Sequence, residues 1–194
     1  GTFTYLPDLN YFGSDLFVYS VCDNGSPSLC STASVTLNIS ATNDAPIALN
    51  GNYSTSEDAT LNGSSVLTND SDPDGDLLII NTTPVVNVSS GNLTLNSNGT
   101  FTYIPALNFN GTVSFTYEVC DNAIPSLCAT AVTSIDVLSV NDAPSALPDV
   151  YSINEDTPLN GSSVLANDFD LELTAISLNT TPIIAPLHGL LILN

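Results

Sequence analysis

Two kinds of side chain in this 194-residue sequence stand at spacings that can do chemistry: cysteine pairs and dense carboxylate clusters. Cys22 and Cys30 flank a short Asx/Pro/Ser loop between two strand-like runs, and Cys120 and Cys128 repeat the arrangement. Such a loop sets two sulfurs opposite each other near the end of a hairpin, within bridging range. An even count and local pairing point to disulfides in an oxidising compartment. Buried free thiols are the other reading. A zinc site has less support, because no histidine is near either pair and the C-x₂₋₄-C spacing is missing.

The run Asn69-Asp70-Ser71-Asp72-Pro73-Asp74-Gly75-Asp76 places four carboxylates within seven positions. Like charges at that density repel one another unless something neutralises them. The chain has 20 acidic residues and neither lysine nor arginine, giving a formal charge of −20. Calcium, which takes six to eight oxygens from carboxylates, carbonyls and Asn side chains, is the natural counter-ion. Glu57-Asp58 and Asn43-Asp44 offer further oxygens. The segment is not an EF-hand, since no glutamate stands at the twelfth place and no helices flank it. A solvated acidic turn is the competing reading, because Asp-Pro-Asp-Gly is a strong turn sequence by itself.

The absence of basic residues excludes several functions. Nucleic-acid binding through counterion release needs cations, as do a basic membrane anchor and an Arg clamp for phosphate. A Schiff-base lysine is excluded for the same reason. No apolar run approaches the ~18 residues of a membrane-spanning helix, so membrane insertion is not expected in this segment. The single histidine, His188, falls in Leu187-His188-Gly189, which reads as a turn into a strand. Without a second histidine no ordinary base-activated Ser or Cys triad can be assembled. Paired carboxylates serve glycoside hydrolysis, but here they recur at turns and linkers rather than in one cleft. The expectation is that the chain is not an enzyme.

These groups recur at a fixed interval. Gly1-Thr2-Phe3-Thr4-Tyr5 returns as Gly99 to Tyr103, Asn43-Asp44-Ala45-Pro46 as Asn141 to Pro144, and Asn81-Thr82-Thr83-Pro84 as Asn179 to Pro182, each offset by 98 residues. Self-similarity at a fixed period is the signature of a repeat architecture. The period divides the chain into the C-terminal half of one repeat (1–42), a complete repeat (43–140) and the N-terminal half of another (141–194). Gly1 to Tyr5 reads as the middle of a strand, so Gly1 is read as a cut rather than a biological start. Two arrangements follow: a fragment of a longer array, or a subunit whose residues 141–194 pair with residues 1–42 of a neighbour to build a head-to-tail array or filament.

The elements that carry these groups are strands. Val113, Phe115, Tyr117 and Val119 alternate with polar residues, as do Ala131, Thr133, Ile135 and Val137, and Ala33, Val35, Leu37 and Ile39. A period of two marks a strand with one buried face. No stretch shows a helical period, and about seven short strands per ~100 residues fits a two-sheet sandwich. The fold class is all-β.

The motifs Asn-Asp-Ala-Pro, Glu-Asp, Val-Leu-x-Asn-Asp-x-Asp and Gly-Thr-Phe-Thr-Tyr-x-Pro, in this order, resemble the cadherin-like or Ig-like tandem repeats (tandem-95, VCBS-type) of large bacterial extracellular adhesins. The resemblance covers the whole chain. It implies tandem β-sandwiches at the cell surface or secreted, with calcium near the linkers. The matching positions are Asn43, Asp44, Glu57, Asp58, Asp70, Asp72 and Asp76, then Asn141, Asp142, Glu155, Asp156, Asp168 and Asp170; Asp74 joins them from the acidic run. Where the complete repeat reads Asp72-Pro73-Asp74-Gly75-Asp76, the last reads Asp170-Leu171-Glu172-Leu173-Thr174, which predicts a weaker or absent site. The cysteine pairs also depart from most members.

The expected function is therefore a structural rod or filament in adhesion or fibre formation, stiffened by calcium at linkers and by hairpin disulfides, with copies of itself as partners. A carbohydrate- or protein-binding module recognising a cell-surface or glycan ligand is the alternative, and an accessory segment of a large secreted enzyme is the third. Twelve Asn-x-Ser/Thr sequons offer glycan acceptors: Asn24, Asn38, Asn52, Asn62, Asn69, Asn81, Asn87, Asn92, Asn98, Asn110, Asn160 and Asn179.

Overall fold

A computed structural model describes residues 1–194. Contacts divide them into two units, Gly1–Ser139 and Val140–Asn194. Within the first unit, β1 (Gly13–Cys22) and β2 (Cys30–Ile39) form a two-stranded antiparallel hairpin. The remaining strands are β3 (Gly51–Ser56), β4 (Leu61–Gly63), β5 (Ile79–Ile80), β6 (Asn92–Leu95), β7 (Phe101–Ile104), β8 (Gly111–Cys120) and β9 (Cys128–Leu138). They build a four-stranded sheet in the order β3-β9-β8-β5 and a three-stranded sheet in the order β4-β7-β6. All pairs are antiparallel except β3 with β9.

The two-residue alternation read from the sequence is the alternation of the core. Along β8, Val113, Phe115, Tyr117 and Val119 are buried, and β9 contributes Ala131, Ile135 and Val137. The facing sheet supplies Leu95, Phe101 and Tyr103. Phe101 stacks edge-on against both Phe115 (5.3 Å between ring centroids) and Tyr53 (4.8 Å). Fully burying one such side chain contributes ~1.5–3 kcal/mol, and edge-to-face aromatic pairs add to that. Gly63 permits this packing: a Cβ there would lie 2.2 Å from the Phe101 ring.

The segments on either side of residues 43–140 behave differently. Residues 3–5 repeat Phe101-Thr102-Tyr103 of β7 yet form no strand, against the strand reading of Gly1–Tyr5. In the complete repeat β7 is hydrogen-bonded between β4 and β6, and residues 1–42 contain no counterpart of either. In the second unit no strand forms; the ladder is reduced to one bridge, Ser145 to Phe169, equivalent to Ile47 with Ser71. His188-Gly189 makes a bend, with Gly189 at φ +125°, and no strand follows it. No helix is long and apolar enough to cross a membrane.

Candidate metal centre

The acidic run is a tight turn placed by the segment before it. Ser65 caps the 3₁₀ turn Val66–Asn69 by accepting from the Leu67 amide at 3.2 Å. Pro73 and Gly75 then fold the chain back: the Gly75 amide donates to the Asp72 carbonyl at 3.2 Å, and Gly75 sits at φ +81°. Asp72 Oδ1 accepts two amides inside the turn, from Asp74 (2.9 Å) and Asp76 (3.2 Å). Asp72 Oδ2 is buried and has no hydrogen-bond partner. A buried oxygen in that condition costs about 1–3 kcal/mol, more when charged.

Asp72, Asp74 and Asp76 bring one carboxylate oxygen each within 4.8 Å of one another. The linker folds onto them, with the Asp44 amide donating to Asp74 Oδ2 at 2.7 Å. The Asn43 side-chain amide donates to Asp121 Oδ2 (2.7 Å) and to the Pro125 carbonyl (3.1 Å). Burial raises the Asp76 pKa above the ordinary carboxylate value, and the charges of Asp72, Asp121 and Asp74 push it further up. Burial also works against the charge on Asp121, but hydrogen bonds from Asn43 and the amides of Leu127 and Ala123 prevail and hold its pKa low. A cleft of about 340 Å³ beside the turn is lined by Asp44 and Asp74 together with Asp8, Asn10 and Tyr11 of the preceding half-repeat.

Other expected ligands lie elsewhere. Asp70 turns inward: its oxygens accept the Tyr117 hydroxyl at 3.0 and 2.9 Å, and Oδ1 also accepts the Leu49 amide at 2.9 Å. Burial, then the hydrogen bond and charge of Asp70, raise the Tyr117 pKa. Glu57 is buried at the far end of β8 from Asp121, with Asn110 Nδ2 3.5 Å from its Oε2 and its own amide on the Leu138 carbonyl. Asp58, at φ +57°, accepts the Asn108 amide at 3.1 Å. The list read from the sequence therefore divides between the two poles of the sandwich.

In the second unit the equivalent turn keeps its frame with altered chemistry. Asp170 Oδ1 accepts the amides of Glu172 and Thr174 at 3.1 Å each, and the Asp142 amide donates to Glu172 Oε2 at 3.1 Å. Glu172 thus occupies the place of Asp74. Thr174 replaces Asp76, and Leu173 takes the left-handed place of Gly75 at φ +58°. Asp168 accepts the Leu147 amide at 2.8 Å, and Asn141 Nδ2 donates to the Asp142 carbonyl at 3.0 Å. Glu155 and Asp156 are exposed.

Asp8, Asp121 and Glu172 were not among the acids singled out in the sequence. Asp8 and Asp121 stand apart from any acidic run, and only the fold brings them to the turn. Glu172 had a signal, since the 98-residue offset aligns it with Asp74.

The cysteines pair as Cys22–Cys30 and Cys120–Cys128, each bond joining residues directly opposite in the hairpin register. Each closes a loop organised by an aspartate. Asp121 Oδ1 accepts the amides of Ala123 and Leu127, and Asp23 Oδ1 those of Gly25 and Leu29. All twelve sequon asparagines are exposed.

Residues 43–139 match the profile of the bacterial cadherin-like domain. With half of its length matched, the chain belongs to that family, whose members are in general extracellular, adhesion-type, calcium-binding and non-enzymatic. Among solved structures it is similar to protocadherin gamma B2 extracellular cadherin domains 3–6, at 20% identity over 72% of this chain and 36% of that one, TM-score 0.49. It is also similar to protocadherin gamma B7 extracellular cadherin domains 1–4, at 18% identity over 75% and 38%, TM-score 0.49. A third similarity is to mouse cadherin-23 EC22–24, at 16% identity over 66% and 43%, TM-score 0.45. The chain spans between 36% and 43% of the length of these solved chains. No curated protein matches it in sequence.

Proposed function

We propose that the chain is a segment of an extracellular adhesion array in which a calcium ion stiffens the junction preceding the complete repeat. The observation that carries this reading is Asp72 Oδ2, an oxygen buried without a hydrogen bond beside two further carboxylates, in a chain with no lysine or arginine to pair them. A hard divalent cation with oxygen ligands fits that donor set. Asp72, Asp74 and Asp76 would hold it, with Asp121 and the linker residues Asn43 and Asp44 beside them. Bound there, the ion supplies the positive charge that cancels the carboxylate repulsion.

The linker contributes to the centre through Asp44 and Asn43, so binding would restrict the chain just where the preceding half-repeat joins. The two disulfides tie hairpin ends, and the Cys120–Cys128 loop carries Asp121, linking that bond to the junction. In the second unit Asn141, Asp142, Asp170 and Glu172 form the corresponding set. It has one carboxylate fewer in the turn and is proposed as the weaker binder. The twelve exposed sequons suit glycan attachment.

Thermal unfolding tests the reading. A ligand that binds only the folded state at 100 times its Kd contributes about 2.7 kcal/mol. Calcium should raise the Tm of the complete repeat and EDTA should reverse the rise; a Tm indifferent to both would remove calcium from the account.

A further inference from the structure

We propose that the complete repeat is a load-bearing module: tension along the array loads the parallel β3–β9 ladder in shear, and the Cys120–Cys128 bond holds β8 and β9 together behind it. The source of that tension is the array proposed above, whereas the resistance itself follows from the topology of residues 43–140.

The first and last strands of this repeat lie side by side and run the same way, from Gly51 opposite Thr133 to Ser56 opposite Leu138. The linker enters β3 beside Asn69 and Asp70, and the chain leaves β9 at the opposite pole, beside Glu57. Drawing residues 42 and 139 apart therefore slides the two strands past each other lengthwise. Hydrogen bonds cross between the strands and are evenly spaced in a parallel pair, so a lengthwise pull strains all of them at once. A pull across the strands would break them one after another.

Two further bonds lengthen the ladder. Asn50 Oδ1 accepts the Val132 amide at 2.9 Å, and the Glu57 amide donates to the Leu138 carbonyl at 2.8 Å. Tyr53, in mid-strand, is keyed into the core by its edge-on contact with Phe101 at 4.8 Å and by its hydroxyl on the Ser64 carbonyl at 3.1 Å.

β9 is held more firmly on its other side. It pairs with β8 over ten residues, from Gly111 with Val137 to Cys120 with Cys128, against six with β3. The disulfide closes that longer ladder covalently. The β3–β9 ladder is thus the one that yields first. Once it parts, the same bond caps the length released, because Cys120 and Cys128 stay 4.0 Å apart between α-carbons. Eight extended residues would otherwise span ~29 Å.

The test is single-molecule pulling of the full chain in EDTA, through thioether-linked handles at exposed positions. Handles on Thr42→Cys and Ser139→Cys load the ladder lengthwise, and handles on Ala59→Cys and Ser139→Cys pull open its Ser56–Leu138 end. At one pulling speed the first geometry should resist at least about twice the force of the second, forced unfolding being set by the unfolding rate. A dithiol, oxidised to its own disulfide as the Cys120–Cys128 bond takes up two electrons and becomes two thiols, should lengthen the release by about 25 Å at unchanged force. Cys22–Cys30 lies outside the pulled segment. Equal forces in the two geometries, or a force that falls on reduction, would overturn the proposal. With calcium absent throughout, neither result bears on the ion.

Discussion

The β1–β2 and β8–β9 hairpins share their register, the disulfide that closes each, and the Phe-x-Tyr-x-Val-Cys pattern of the first strand, and differ in what covers them. Tyr117 and Val119 are 0% exposed, whereas their counterparts Tyr19 and Val21 are 44% and 59% exposed. Local sequence and a cross-strand bond suffice to form the hairpin; the second sheet is what converts its apolar face into a core. Strand propensity is expressed in both hairpins, while hydrophobic stabilisation is gained only where area leaves water.

Substitutions at paired positions expose that difference. Phe115→Ala should destabilise the complete repeat by about 3–5 kcal/mol, the range for truncating a buried aromatic. Phe17→Ala, at a half-buried ring, should cost only about 1 kcal/mol. Denaturant titrations of the two variants give both values, and equal losses would break the comparison. Tyr117→Phe removes the hydroxyl that donates to Asp70, and should cost about 1–3 kcal/mol by leaving the half-buried Asp70 Oδ2 without that bond. The same change at Tyr19, which is 44% exposed, should leave the midpoint unmoved.

The two acidic turns give a smaller contrast. Gly75 is left-handed with no atom near the place of a Cβ, so Gly75→Ala meets only the backbone penalty, about 1 kcal/mol. Leu173 bears that penalty already, and Leu173→Gly should sharpen the amide exchange protection of its turn. The smallest effect concerns the exposed loop. Hydrogen bonds from the Leu29 and Gly25 amides hold the Asp23 pKa below 3.8. A lowered folded pKa contributes stability that is present above the unfolded value and lost as pH falls through the folded one. Protection of the Leu29 amide should therefore be constant above pH 3.8 and decline below it, and protection that grows on acidification would contradict the loop geometry.

Much of this was legible in the sequence because its signals are local or periodic. The alternation at 113–119 and 131–137 named the core face, and the cysteine spacing foretold cross-strand bonds. Gly1–Tyr5 misled because a strand exists only with its partners, and those partners lie outside residues 1–42. Asp70 looked like one more ligand in an acidic run; its inward turn depends on Tyr117, 47 residues away. Asp121 carries no local mark at all, since the hairpin end and the turn meet only after both sheets have formed.

The central claim, that the turn at 72–76 holds calcium through an otherwise unsatisfied Asp72 oxygen, is tested most directly by calorimetric titration of calcium into the chain and into its Asp72→Asn variant. Asparagine keeps an oxygen for the two turn amides but removes the charge and the second carboxylate oxygen, so the fold should survive. Binding to the unsubstituted chain, weakened at least 10-fold by the substitution, is the predicted result. An absence of binding, or binding that Asp72→Asn leaves unchanged, would contradict it.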